Sequence, residues 1–162
     1  MLEQFEIYIS AQKTIASYML ALGLIMFLGA VLIHFTGTNS LFNGLKIGLL
    51  LFGLFSFVGG YSYKITEDKL LKSQTAIYES ASDEFHQLEK ARMQKVVKNF
   101  PIIQFVFIGL VIAAILVNVL VDKPMLNGIL FAFVIFLLGN MIIESVSKQS
   151  ISVYFEQVST IH

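Results

Sequence analysis

Long apolar runs alternate with polar segments along this chain, and the runs come in two closely spaced pairs. A helix needs about 20 apolar residues to cross a hydrocarbon core of about 30 Å. Four runs reach that length, at residues 15–35, 41–63, 101–121 and 125–144. The pattern predicts an all-α fold, that of a polytopic integral membrane protein whose four transmembrane helices form two hairpins.

Residues 64–99, between the two pairs, form the longest polar segment and contain no Gly or Pro. As one straight helix the segment would extend about 54 Å from the membrane, yet the chain has to return to the same membrane face. We therefore predict a cytoplasmic helical hairpin with a break at residues 80–83, where Ser82 or Asp83 can cap the second arm. Pro101 is expected to end this arm or to lie in the first turn of the third span. The residues expected to pack between the arms are Leu70, Leu71, Ile77, Tyr78, Phe85, Leu88 and Val96.

Both ends of the chain are predicted to be amphipathic helices that continue the spans. Apolar positions follow helical spacing in residues 1–13 and again in residues 145–162. They are Leu2, Phe5, Tyr8 and Ile9 near the start, and Ile151, Tyr154, Val158 and Ile161 near the end. The spans and these extensions are expected to form one continuous bundle, a single membrane domain over residues 1–162.

Basic residues predict the orientation in the membrane. The central segment contains seven of the eleven Lys and Arg residues, and the two ends add Lys13 and Lys148. With four spans, these nine lie on one side, opposite Lys46 and Lys123. Because cytoplasmic loops carry an excess of Lys and Arg, we expect both termini and the central segment in the cytoplasm. The spans are expected to lie in the cell membrane, that is, the inner or plasma membrane.

Composition supports a membrane protein and narrows its functions. Hydrophobic residues make up 56% of the chain and charged residues 14%, whereas soluble proteins have about 45–50% and about 25%. The formal net charge is zero, so nothing predicts nucleic-acid binding. The chain contains no cysteine, which excludes disulfides and thiolate metal sites. The first apolar run is expected to remain in the protein as a signal anchor.

The two pairs of spans resemble each other. A shift of 84 residues aligns Asn43 and Gly44 with Asn127 and Gly128. The same shift aligns Ala30, Leu32, Phe52 and Lys64 with Ala114, Leu116, Phe136 and Lys148. Since both halves would start from the same side, they would form a parallel internal repeat about an axis along the membrane normal. Chance similarity between apolar runs is the alternative.

Small residues recur four positions apart in the predicted spans, a spacing that lets helix backbones approach closely in lipid. They could pack within the chain or form a seam between protomers. The candidates are Gly44, Gly48, Gly53, Ser56, Gly60, Gly109, Ala113, Gly128 and Ala132. The second span has the most glycines, so we expect it to be an inner or interface helix.

Few polar side chains lie within the predicted spans. Ser56 and Asn140 occupy matching places in the two halves, and each could hydrogen-bond another helix or line a pore. Glu144 lies at the membrane boundary, where it could bind a cation or pair with Lys148 one turn further along; the ion pair is favoured. No acid or base lies at mid-depth in any span, which argues against an ion-coupled pump.

A cluster of basic residues precedes the third span. It consists of Lys90, Arg92, Lys95 and Lys98. Such a cluster is expected to bind anionic lipid headgroups, although topology alone would also account for it. Membrane lipids are therefore expected partners.

No motif in the chain indicates an enzyme, a cofactor or a metal site. Three functions remain open. The first is a non-enzymatic membrane protein that binds another protein, as an accessory subunit or as an immunity-type inhibitor of a membrane-acting partner. The second is a homo-oligomeric ion channel with Ser56, Gly60 and Asn140 along its pore. The third is a small-solute or lipid transporter, which would need a cavity between the two halves.

Overall fold

The structure, a computed structural model, describes residues 1–37 and 39–160 and is all-helical there. Its four helices are α1 (Leu2–Thr36), α2 (Ser40–Ser80), α3 (Ser82–Leu120) and α4 (Pro124–Thr160). Each is long and apolar enough to cross a membrane. The prediction of an all-α fold with four helices of membrane-spanning length is thus confirmed.

Each helix joins an apolar part to a polar part without interruption. The predicted boundary between the amphipathic start and the first span lies inside α1, and the boundary at residue 63 lies inside α2. α3 runs through Pro101 without ending, although a proline removes one backbone hydrogen bond of the helix. We call residues 2–14, 64–99 and 145–160 the polar half of the bundle. The apolar half consists of residues 15–36, 40–63, 100–120 and 124–144.

The connections between the helices are short. Asn39 caps the start of α2, because its side-chain Oδ1 accepts a hydrogen bond of 2.9 Å from the backbone N–H of Phe42. Ala81 separates α2 from α3, with a φ of −155° and a ψ of 80°. This break lies inside the segment, residues 80–83, in which it was predicted. The predicted cap is wrong. Ser82 and Asp83 already lie inside α3, and no side chain of the described residues caps its first turn.

α2 and α4 meet in the middle of the bundle. α1 packs mainly against α2, and α3 packs mainly against α4. Smaller contacts join α1 to α4 and α2 to α3. The backbones of α1 and α3 do not come close within the described residues, although their side chains meet in the polar half, where the ring centroids of Phe5 and Phe85 lie 5.6 Å apart. α1 and α3 therefore lie diagonally across the bundle.

The larger hydrophobic core lies in the polar half and reaches Phe100, the first residue of the apolar half in α3. It consists of Phe5, Tyr8, Ile9, Phe85, Met93, Phe100, Ile151, Tyr154 and Val158. The apolar faces predicted for both chain ends thus meet in one core, except that Ile161 lies outside the described residues. Of the residues predicted to pack between the arms, Leu88 does not, since it is 45% exposed. The buried face of α3 runs through Phe85, Glu89 and Met93, which leaves Leu88 to one side.

Candidate functional site

Glycines bring α2 and α4 together at the end of the apolar half where the short connections lie. A Cβ added at Gly128 would lie 2.5 Å from the backbone N of Leu45, and one added at Gly44 would lie 2.7 Å from the carbonyl carbon of Met125. One turn further along, a Cβ at Gly48 would lie 2.6 Å from the Cβ of Ala132. Four of the small residues singled out from the sequence therefore pack within the chain.

The same crossing pairs residues of the two aligned halves. Gly44 packs against Gly128, and Gly48 packs against Ala132; each pair is 84 residues apart. The rings of Phe52 and Phe136, also 84 residues apart, stack with centroids 5.5 Å apart. Corresponding side chains of the two halves thus face each other across the centre of the bundle.

Ser56 and its neighbours hold α1 against α2. The Ser56 hydroxyl donates a hydrogen bond of 2.8 Å to the carbonyl of Met19, and the residue is only 1% exposed. A Cβ at Gly60 would lie 2.8 Å from the carbonyl oxygen of Ala16, and one at Gly53 would lie 3.1 Å from the carbonyl oxygen of Gly23. Ser56 makes the interhelical hydrogen bond that was one of its two predicted roles. Neither Ser56 nor Gly60 faces the outside of the protomer, where lining residues of an oligomeric pore would lie.

Gly109 and Ala113 differ from the other small residues. Both are exposed, and a Cβ added at Gly109 would meet nothing within 4 Å. In the most apolar 18-residue stretch of α3 only 11% of the residues are buried, against 28% in the corresponding stretches of α1 and α2. Ala114, one position on, is buried at 5% exposure. The small residues of α3 therefore lie on its outward face, away from the other helices.

Glu144 and Asn140 lie on α4 beside a cavity of about 380 Å³ at the boundary between the polar and apolar halves. Side chains from all four helices line it, among them Met19, Tyr63 and Phe107. The Asn140 side-chain amide donates a hydrogen bond of 2.8 Å to the carbonyl of Phe136 in its own helix.

The favoured ion pair between Glu144 and Lys148 is not formed. Glu144 Oε2 is buried and has no hydrogen-bond partner among the described residues. The Lys148 ammonium instead lies 5.9 Å from the centroid of the Phe100 ring. A carboxylate oxygen is thus left without a partner beside the cavity.

Gln12 is the centre of a hydrogen-bond network that the sequence did not indicate. It is 0% exposed, and its Oε1 accepts hydrogen bonds from the Tyr63 hydroxyl at 2.8 Å and from the Ser147 hydroxyl at 3.1 Å. Its Nε2 donates to the Ser150 hydroxyl at 3.0 Å. One buried amide therefore joins α1, α2 and α4 where the polar half begins.

Buried charges lie next to this network. Glu89 is 0% exposed and accepts two hydrogen bonds from Arg92, at 2.6 Å and 2.8 Å. The Arg92 guanidinium lies 5.3 Å from the centroid of the Tyr8 ring. Arg92 is therefore directed into the bundle, whereas Lys90, Lys95 and Lys98 of the predicted lipid-binding cluster are partly or fully exposed.

A second carboxylate, that of Glu67, is 5% exposed, and its Oε2 has no hydrogen-bond partner among the described residues. Burial raises the pKa of this carboxyl above its ordinary value of 4.5, although Arg92 lowers it. Burial also raises the pKa of Tyr8 and of Tyr154. For Arg92, burial alone would lower the pKa, but the hydrogen bonds and the charge of Glu89 raise it above its usual range. The cluster contains two buried carboxyls and one guanidinium.

A signal for this cluster exists in the sequence, because Glu89 lies on the same helical face as Phe85 and Met93, and a charge on an apolar face has to find a partner inside. The polar half also contains a groove of about 480 Å³ between α1 and α4, which no charged residue lines.

No family model, curated protein or solved structure matches this chain, so its function has to be inferred from the geometry of its own residues.

Proposed function

We propose that this chain is a non-enzymatic, multi-pass protein of the cell membrane that acts by binding another membrane protein. The four apolar parts of the helices would cross the membrane as two hairpins. The polar half, which carries nine of the eleven basic residues, would lie in the cytoplasm together with both termini, as the excess of Lys and Arg favours.

The outward face of α3 supports this function. Two Gly-xxx-Ala patterns occur in the apolar half, at Gly109 and Ala113 and at Gly128 and Ala132. The second pattern is used inside the chain, where the backbones of α2 and α4 nearly touch. The first has no neighbour within 4 Å of its glycine, although small residues at this spacing are typical of helix contacts in membranes.

Large apolar side chains surround these small residues. Ile102, Phe105, Val106 and Leu116 are exposed by 57%, 73%, 54% and 55%. At 100° per residue all four lie on the same side of α3 as Gly109. A transmembrane helix of the partner would approach this face at Gly109 and Ala113 and pack against the larger side chains by van der Waals contact.

Site-specific crosslinking tests this proposal, because the chain has no native cysteine. Ala113→Cys and Ala114→Cys would each be labelled with benzophenone maleimide and photolysed in membranes of the cells that naturally make the protein. The two positions are neighbours, but Ala113 faces outward and Ala114 inward. We expect an adduct from Ala113→Cys that is weak or missing from Ala114→Cys.

The mass of the adduct identifies the partner. An adduct whose mass is not a multiple of 18.1 kDa shows that the partner is a different protein, as proposed. An adduct of twice 18.1 kDa shows instead that the partner is a second copy of this chain. Gly109→Ile should diminish the adduct, and the matched change Ala21→Ile on an exposed position of α1 should not. Equal yields from Ala113→Cys and Ala114→Cys, or no adduct, overturn the proposal.

We also infer that the two halves arose by duplication. The reciprocal contacts of Gly44 with Met125 and of Gly128 with Leu41 support this, because in both pairs the aligned positions exchange roles. A repeat axis along the membrane normal would pass between α2 and α4.

A further inference from the structure

We propose that the cavity beside Glu144 binds an amphiphilic organic cation, that is, an ammonium group attached to an apolar body. The cavity lies where the polar half meets the apolar half, and all four helices contribute to its wall. Its volume of about 380 Å³ is within the range of about 300–1,000 Å³ found for small-molecule sites. This site is separate from the outward face of α3, so the proposal does not depend on a protein partner.

The charge of the site comes from Glu144 alone. It is the single charged residue among those that line the cavity, and the other polar side chains in the wall include Asn140 and Tyr63. Its buried Oε2 has no hydrogen-bond partner in the described part of the chain. Because a buried carboxylate oxygen without a partner is costly, a cationic group that enters the cavity gains a favourable interaction that the protein itself does not satisfy.

Aromatic rings complete the recognition of a cation. Tyr63, Phe100 and Phe107 line the same cavity, and ring faces attract ammonium groups within about 6 Å of their centroid. The ring of Phe100 already has the ammonium of Lys148 at 5.9 Å, so Tyr63 and Phe107 are the rings left to contact a bound cation.

The wall selects against inorganic cations. Calcium takes about six to eight oxygen ligands, whereas this cavity offers one carboxylate. Within the described residues no group of three or more His, Cys, Asp or Glu side chains could hold a metal ion. Met19, Phe100 and Phe107 supply apolar surface instead, which favours an organic body on the cation.

Two sources could supply such a group. One is the amine of a phospholipid headgroup, since the cavity lies at the end of the predicted spans. The other is a free hydrophobic amine or quaternary ammonium compound. Both present the same chemistry to Glu144, and the experiment below separates them.

The test uses the full chain in nanodiscs of phosphatidylglycerol, a lipid that has no amine. Binding of labelled benzyltrimethylammonium would be measured by equilibrium dialysis, with neopentylbenzene as an uncharged competitor of the same shape. We expect saturable binding that neopentylbenzene does not displace. Glu144→Gln should weaken it by about tenfold to a hundredfold, the usual effect of losing an interaction with a charged group.

The control is Glu156→Gln, which removes an exposed carboxylate of the same helix and should leave binding unchanged. Phe107→Leu should weaken binding by about twofold to thirtyfold through the lost cation–π contact. Because this variant keeps the Glu144 carboxylate, it also tests the site if Glu144→Gln does not fold. Equal binding by the wild type and both cavity variants, or the absence of saturable binding to the wild type, would overturn the proposal.

A second arm identifies the source. The dialysis is repeated in nanodiscs in which half of the phosphatidylglycerol is replaced by phosphatidylethanolamine. The reference discs have the same half replaced by monoglucosyldiacylglycerol, which has no amine and no charge, so that the surface charge is equal. A lower affinity for the probe in the discs with phosphatidylethanolamine than in the reference discs, lost in Glu144→Gln, shows that the lipid amine competes for the site. An unchanged affinity, with the effect of Glu144→Gln retained, supports a free organic cation.

Discussion

The close crossing of α2 and α4 makes Gly128→Ala a sharp test of the fold. A Cβ at position 128 would lie 2.5 Å from the backbone N of Leu45, whereas ordinary van der Waals contact begins at 3.4 Å. The two helices would have to separate by at least the difference between these distances, about 0.9 Å, because the carbonyl oxygen of Leu41 lies nearer still. The neighbouring atom is backbone, so no side-chain rotation can make room.

The expected size of the effect combines two opposing contributions. Added atoms in a packed core cost about 1–3 kcal/mol, and a rigid backbone neighbour places this case toward the upper value. Replacing Gly by Ala inside a helix returns about 1 kcal/mol through helix propensity. We therefore expect Gly128→Ala to lower the free energy of unfolding by about 1–2 kcal/mol.

Gly109→Ala is the matched control. The change is the same and also lies inside a helix, but the added Cβ meets nothing within 4 Å. It should be neutral or stabilise the protein by up to about 1 kcal/mol. Gly44→Ala, on the other side of the crossing, should be destabilising like Gly128→Ala.

The assay is reversible unfolding in mixed dodecyl maltoside and SDS micelles. Near-UV circular dichroism follows it through packed aromatic rings such as Tyr8 and Tyr154, whose centroids lie 4.5 Å apart, because apolar helices persist in micelles after they separate. We expect the midpoint SDS mole fraction to fall for Gly128→Ala and Gly44→Ala and to stay or rise for Gly109→Ala. Indistinguishable midpoints for Gly128→Ala and Gly109→Ala would refute the close crossing.

Three further predictions concern the buried polar groups and use the same unfolding assay. Glu89→Gln should cost about 1–3 kcal/mol because it removes the buried carboxylate that pairs with Arg92; since the Arg92 side chain is 25% exposed, the cost stays below that of breaking a fully buried pair. Glu156→Gln, at an exposed position of α4, should cost little, and equal effects of the two changes would contradict the pair. Gln12→Leu should cost about 1–3 kcal/mol because it leaves the hydroxyls of Tyr63 and Ser147 without their partner; an unchanged midpoint would show that the network does not hold the helices. Burial raises the pKa of the Glu67 carboxyl above 4.5 in the folded state, so the folded protein binds the proton of this carboxyl more tightly than the unfolded chain does. The contribution of Glu67 to stability is therefore full below pH 4.5 and is lost as the pH rises to the raised pKa. The stability difference between wild type and Glu67→Gln should therefore change across this window, and a difference independent of pH would show that Glu67 is not the titrating group; the pKa of Asp68, which its hydrogen bond to Lys13 lowers, is common to both proteins and cancels.

Local patterns in the sequence were sufficient to predict the helices and the faces that they bury. Runs of about 20 apolar residues predict helices of membrane-spanning length, and the structure has four of them. The break at Ala81 falls within the predicted four residues. The apolar stripes of both chain ends predicted Phe5, Tyr8, Tyr154 and Val158 as core residues, and all four are buried. These features depend on residues within a few turns of one another.

Of the buried charges, only Glu89 has such a local signal, because it lies on the helical face of Phe85 and Met93; Glu67 could not be identified in this way. Glu67, Glu84 and Glu89 all occur in the same polar segment, yet Glu84 is exposed while the other two are buried. Which carboxylate is buried depends on where α1 and α4 pack against α2 and α3. Likewise, the spacing of Glu144 and Lys148 favoured an ion pair, but Lys148 lies over the Phe100 ring of α3 instead.

Two short patterns show the division between sequence and tertiary structure. Gly109-xxx-Ala113 and Gly128-xxx-Ala132 are equivalent as sequence, and each indicates a helix face that allows close approach. The tertiary structure uses the second for the α2–α4 crossing and leaves the first exposed. The physical reason is that hydropathy and helix periodicity depend on each residue's own transfer free energy and on its near neighbours. The partner of a helix face depends on how four long helices fit together, over separations of up to 138 residues, as in the hydrogen bond from Gln12 to Ser150.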